Sequence, residues 1–461
     1  MKIAFFLILS SFLSIASANG MIKKLPKLPA QNQIASAGVE AHTIEQAINH
    51  DDRSDGTFTQ RYWFSKAFAA NSAAPILVYL CGEHDCAGGW ASPYMDPWAE
   101  PVAGNTASIE HRYYGQSRPF SSLTTENLKY LTMEQALIDT AQVLLKLRKD
   151  YNLTGPFIVM GGSYSGALAV QLRTAYPNLV AGAWSSSGPS KMIADFKGYD
   201  VKMTQIMGLV CAANMRKVIA HAEAAVKNPE QFKQLREKFF MPNLTHPVDF
   251  LFGISDVAAA AVQYNETEWV CGSFTSGDAV EDYAKFLSEI NEEWGYTGEA
   301  YSFGTISDTS YDSPNAGTRM FLYQQCYEVG TLQTAADKLE NSTRSSLINF
   351  KYMKEACKRA FGKSFDTADN ADELNDKYYK PLLKKNGPTQ IFITAGLIDP
   401  TFEMSKTREI AAGSNKGIAT ESIEMAAHCD DINVGDNSPA SVKAAAMRGM
   451  DLIKQWVHFK N

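Results

Sequence analysis

The sequence predicts an α/β fold, a parallel sheet with helices on its faces and a mostly helical insertion. Three observations carry this. Between residues 57 and 189, short apolar runs alternate with segments of helical periodicity, the signature of parallel strands joined by crossover helices. From 190 to 318 the texture turns helical, rich in Ala, Met, Lys and Glu, with no strand alternation. Strand-like runs return at Thr389–Thr394 and Ala419–Met425.

The length supports more than one core, since single cores stop growing near ~250–300 residues. Residues 19–189 and 319–461 are read as two parts of one α/β core, and 190–318 as a helical cap inserted between them. Residues 1–18 stand apart: Lys2, an apolar run from Ile3 to Ile15, then Ala16-Ser17-Ala18. This pattern reads as a secretory signal peptide, too short for the ~20 apolar residues of a membrane span. No later stretch is longer, so no membrane span is expected.

Export predicts sugars and disulfides. Asn152, Asn243, Asn265 and Asn341 each open an acceptor sequon. Seven cysteines leave one over after pairing. Cys211 with Cys271 and Cys326 with Cys357 are the expected pairs because each flanks one segment. Cys81 with Cys86 would close a small loop, leaving Cys429 unpaired. Cys81, His84 and Cys86 have spacing that could hold a metal, but an oxidising setting favours the disulfide, so no metal is expected. The net charge of −7, with no basic stripe, argues against a nucleic-acid partner.

Taken in order, residues 19–56 form a polar lead-in with weak signals. Phe58, Tyr62, Trp63 and Phe64 suggest a strand, and Pro75–Leu80 is an unbroken apolar run ending at the loop Cys81–Cys86. Such loops, at the carboxyl ends of strands, collect ligand and catalytic groups in open α/β sheets. Ala107–Gly115 begins as a strand and ends as an aromatic turn. Thr132-Met-Glu-Gln135 matches a capping box, opening a helix with Leu137, Ala141, Leu144 and Leu145 on one face. Leu179–Trp184 is a further strand, and Ser438-Pro439 opens the closing helix.

The central stretch is Phe157-Ile-Val-Met-Gly-Gly-Ser-Tyr-Ser-Gly166. Strand, sharp glycine turn and helix lift Ser163 clear of the sheet with a helix N-terminus beneath it, as in a nucleophile elbow. Ser165 stands where such elbows usually have glycine. A serine hydroxyl needs an imidazole to take its proton and an acid to hold that imidazole. In this topology they follow in the order serine, acid, histidine, and Ser163, Asp399 and His428 meet it, the latter two each beyond a strand. His111 is a rival base that precedes the serine. Asp430 and Asp431 are rival acids lying too near His428 to come from a separate strand end. For the oxyanion, the amide of Tyr164 is one donor and that of Gly82 or Glu83 the second. This chemistry calls for no cofactor.

These residues resemble the exported serine peptidases that include lysosomal Pro-X carboxypeptidase, quiescent-cell proline dipeptidase and thymus-specific serine protease. Glu110–Gly115, Tyr130–Ala136, Gly161–Tyr164, Tyr323-Gln-x-Cys326, Asp399-Pro400 and Ala427-His428-Cys429 look like that family's blocks. The resemblance implies an α/β-hydrolase core with a helical lid, and a triad falling on Ser163, Asp399 and His428. It further implies cleavage after proline near a peptide terminus, in secreted or lysosomal settings, with peptide as partner and a homodimer left open. Tyr323, Gln324 and Thr401 are the substrate-contacting positions on this reading. In two places the chain departs from the family. Thr401 replaces a tryptophan, and Cys81–Cys86 replaces a glycine-rich loop. An esterase on the same core, or a catalytically silent binding protein, are the alternatives.

Overall fold

The computed structural model describes residues 39–86 and 91–458, with the backbone alone for 91–94. The signal-peptide segment 1–18 lies outside the described residues. Two compact units emerge: one comprises Ile193–Ala368 with Ser122–Leu128, and the other holds the remaining described chain.

The second unit is built on an eight-stranded sheet in the order β1-β2-β4-β3-β5-β6-β7-β8. Its strands are β1 (Val39–Ala47), β2 (Thr57–Ser65), β3 (Ile76–Leu80), β4 (Asn105–Ile109), β5 (Phe157–Gly162), β6 (Val180–Ser186), β7 (Ile391–Gly396) and β8 (Ile418–Ile423). β1–β2 and β2–β4 pair antiparallel, and every later pairing is parallel. This mixed sheet, with a strand–elbow–helix step at β5, is an α/β-hydrolase core. The central strands are buried on both faces, which explains their unbroken apolar runs. Trp98, Trp184, Phe392, Ile453 and Trp456 fill one side of the sheet, the last two from the closing helix Ala440–Val457.

β1 falls inside the stretch 19–56, read as a polar lead-in with weak signals. It is an edge strand exposed or half-buried from Val39 to Glu45 and buried only at Gln46 and Ala47, so its apolar signal is weak, and its partner β2 holds it through nine register pairs from Val39↔Ser65 to Ala47↔Thr57. Beneath it lies a buried ionic staple. Arg112 reaches Asp139 through Nε at 2.6 Å and Nη2 at 2.8 Å, and also donates to the carbonyls of Ala47, Ile48 and Tyr130. His50 closes on the same carboxylate at 2.6 Å. Burial works to raise the Asp139 carboxyl, but Arg112 and His50 outweigh it and hold it below its ordinary range.

The other unit is helical, with long helices at Lys197–Ala225, Pro247–Gln263, Ala279–Trp294 and Phe350–Phe361. It runs to Ala368 instead of ending at 318, and it recruits Ser122–Leu128. Arg319 ties these stretches together, buried and donating to the carbonyls of Leu123, Ile306 and Ala360. Disulfides join Cys211 to Cys271 and Cys326 to Cys357 within this unit. A third joins Cys81 to Cys86 in the sheet unit, and Cys429 is a buried free thiol. Asn152, Asn243, Asn265 and Asn341 are all exposed. Among the described residues no helix is long and apolar enough to cross a membrane.

Candidate active site

β5 ends at Gly162, and the helix Ser163–Ala175 begins on the next residue. Ser163 has φ +54°, left-handed backbone that non-glycine residues adopt only at a cost. The turn is tight enough that a Cβ on Gly161 would lie 2.3 Å from the Ser165 carbonyl oxygen. Ser165 fits in the usual glycine place for two local reasons. Its hydroxyl donates to the Gly162 carbonyl at 2.8 Å, and the facing residue is Gly82, where a Cβ would stand 2.9 Å from Ser165 Cβ. Gly82 has φ +62°, so the loop after β3 is pressed directly against the elbow. Glu83, the next residue, is buried.

Tyr164 is buried, and its hydroxyl meets His111 Nε2 at 3.2 Å. The other nitrogen of His111 lies 2.7 Å from the Arg112 carbonyl. Burial, partly offset by that carbonyl and by Asp139, pushes the His111 imidazole down to about 4. It is a neutral structural ring, engaged at both nitrogens.

Asp399 follows β7 and His428 follows β8, and the structure joins them. Asp399 Oδ2 lies 2.8 Å from His428 Nδ1, with both side chains buried. Asp399 Oδ1 accepts from the amide and the hydroxyl of Thr401, each at 2.8 Å. Burial pushes the Asp399 carboxyl up, but His428 and Thr401 together hold it below its ordinary value. For His428, burial works against the charged form, and the Asp399 carboxylate overrides it, raising the imidazole well above its usual range.

The histidine loop is fixed beside the elbow. Cys429 donates its amide to Ser187 Oγ at 3.0 Å, and a Cβ on Gly162 would sit 2.9 Å from Cys429 Sγ. The residue after the histidine therefore touches the residue before Ser163. Asp431 anchors the loop from below, accepting from Ser186 Oγ, from Thr394 Oγ1 at 2.6 Å and from Trp184 Nε1 at 3.2 Å. It is occupied in tying β6 to β7, not in facing His428.

Thr401, read from sequence as a substrate contact, is buried with its hydroxyl turned onto Asp399. Tyr323 and Gln324 belong to the helical unit and are fully buried, Tyr323 packing on Tyr327, Phe361 and Phe365. Their packing is that of core residues. The roles of Thr401 and Asp431 were missed from sequence. A threonine two residues after an aspartate is a turn signal, and it was the available hint for the first. Among the described residues no cluster of His, Cys, Asp and Glu is arranged to hold a metal.

A family profile described as Serine carboxypeptidase S28 matches residues 46–448. The chain belongs to the S28 family. As an S28 member it is a serine-type peptidase. It is 30% identical over 379 residues to the "Probable serine protease EDA2" of Arabidopsis thaliana, covering 79% of this chain and 75% of that one. It is 25% identical over 423 residues to the thymus-specific serine protease of Mus musculus, covering 84% and 82%. The "Probable extracellular serine carboxypeptidase" of Arthroderma benhamiae is 27% identical over 420 residues, covering 76% of this chain and 57% of that one. Among solved structures, a proline iminopeptidase of Mycobacterium smegmatis covers 90% of this S28 chain and 99% of its own, at 10% identity and a TM-score of 0.38.

Proposed function

We propose that this S28 peptidase is an exported exopeptidase that hydrolyses peptides near a terminal proline through a Ser163–His428–Asp399 triad. The observation that carries the triad is the buried Asp399–His428 bond beside an elbow whose serine holds a left-handed backbone. Ser163 Oγ attacks the scissile carbonyl while His428 Nε2 takes its proton. The tetrahedral oxyanion is held by the amides of Tyr164 and of Gly82 or Glu83. Collapse expels the amine, which leaves with the proton from His428. Water, deprotonated by the same imidazole, then releases the acid product and restores the serine. Three disulfides and four exposed acceptor asparagines support export, as does the extracellular naming of a relative.

The substrate reading is tested by rates on Pro-X peptides blocked at one or the other terminus, set against short acyl esters. Turnover of terminal Pro-X peptides is the expected result. Turnover of esters alone would replace the peptidase reading of this site by an esterase one.

The electrostatics of the pair give a pH signature. The base must be neutral, and Asp399 raises the imidazole above its ordinary 6.5. The acid limb of kcat/KM is therefore expected above that value. Asp399→Asn removes the charge, so the limb moves to lower pH, and the rate falls by roughly 10⁴-fold because the wrong tautomer is held. An unshifted limb in Asp399→Asn, measured across pH 5 to 9 as a ~4-unit span, would exclude Asp399 as the partner.

A further inference from the structure

Thr401 holds a place in the site that its position after Asp-Pro does not advertise. Pro400 has no N–H, so the first backbone donor the Asp399 carboxylate can meet ahead of it is the Thr401 amide, which bonds Oδ1 at 2.8 Å. The Thr401 hydroxyl bonds the same oxygen at 2.8 Å and lies 3.3 Å from His428 Nδ1. One carboxylate oxygen is thus saturated by Thr401 while the other faces the imidazole. Asp399 is fully buried and Thr401 and His428 nearly so, so water does not compete for these bonds.

We propose that Thr401 is a positioning residue for the reaction, an inference that rests on the triad reading above. Its hydroxyl fixes the carboxylate plane so that Oδ2 alone is presented to His428. It also draws charge from the carboxylate, which keeps the imidazolium from being over-stabilised. The other groups facing the pair are few. Cys429 adjoins the imidazole on its own loop. Asp430 is turned to the Ala427 amide and Asp431 to β6 and β7. Ser163 and Tyr164 stand on the elbow. Glu403, on the helix after Thr401, is exposed and paired with Lys406.

The sign follows from which bond is stronger. Thr401→Val removes a hydroxyl donor to a full negative charge at 2.8 Å, so the carboxylate becomes more basic and the imidazolium more stable. Loss of the longer contact to Nδ1 at 3.3 Å works the other way and is weaker. The acid limb of kcat/KM therefore moves up.

The test uses the full exported chain and three proteins: wild type, Thr401→Val and Thr401→Ser. In Thr401→Val, kcat is expected to fall roughly tenfold with KM little changed, and the acid limb to rise by about half to one pH unit. Thr401→Ser keeps the hydroxyl and is expected to restore both. A wild-type limb and kcat in Thr401→Val overturns the proposal, as does an effect confined to KM, which would mark a substrate contact. Should Thr401→Val not fold, a displaced limb in Thr401→Ser overturns it and a wild-type limb there supports it. Fluorophosphonate labelling of wild type separates the two readings. If Ser163 does not label, the triad itself fails. If it labels and the limb does not move, only the role of Thr401 fails.

Discussion

Ser163→Ala is expected to lower kcat by about 10⁶-fold and to abolish covalent labelling by a fluorophosphonate, while leaving the melting temperature close to wild type. The hydroxyl lost is half-exposed at the head of a helix, so little packing goes with it. Alanine also inherits the same left-handed backbone that Ser163 adopts at φ +54°. On the proposed triad the activity lost is large because His428 and Asp399, still paired at 2.8 Å, would have no nucleophile to activate. His428→Ala should cost about as much. Because the members of such a constellation act as a unit, the double variant should be hardly worse than either single one. Measured kcat values for the two single variants and the double variant check this. Additive losses, or more than about a hundredth of wild-type turnover in Ser163→Ala, would remove Ser163 from the reaction.

Arg112→Ala is expected to have the opposite profile, a stability loss of about 3–5 kcal/mol read in urea or by heating. Both members of the Arg112–Asp139 pair are fully buried. Removing the guanidinium strands a charge and deprives the carbonyls of Ala47, Ile48 and Tyr130 of their donor. Replacing Arg112 and Asp139 together by Met and Leu should recover part of the loss, because an apolar pair leaves no buried charge behind, while the three carbonyls and His50 still lack these partners. Acid sensitivity follows from the direction of the Asp139 shift. Its folded value lies below its ordinary 3.8, so its contribution is present above that pH and is lost as pH falls through the folded value. With Arg112 gone that pull is lost and only His50 still favours the carboxylate, so the stability gap between wild type and Arg112→Ala should narrow as pH falls through the folded value. A stability in Arg112→Ala within 1 kcal/mol of wild type, roughly that of an ordinary surface change, would show that the staple is dispensable.

The parts of this molecule that could be read from sequence are those where one physical signal acts alone. Pro75–Leu80, Phe157–Met160 and Thr389–Thr394 are apolar without interruption because the strands within them are covered on both faces. The Asp399 and His428 loops follow strands in the order the topology demands. β1 escaped because an edge strand needs only one half-buried face, and its Glu, His and Gln mask the alternation. The extent of the helical unit escaped because its parts are tied by links such as Arg319 reaching three carbonyls far apart in sequence. No local pattern reports such a link. Tyr323 was read by resemblance as facing substrate, and its ring is packed in the helical unit, stacked on Tyr327 and edge-on to Phe361 and Phe365. The Glu110–Gly115 block is similar. Its Arg112 serves the staple and its His111 a neutral ring, so a motif that suggests a site here marks a support.

The order of these parts along the polypeptide has a consequence for biosynthesis. β7 and β8 are supplied after the helical unit, so a nascent chain emerging from the ribosome carries the elbow long before Asp399 and His428 are added. Until β7 is added, β6 lacks the strand that pairs its second edge. Completion of the sheet thus waits on the same stretch of chain that brings the Asp399–His428 pair.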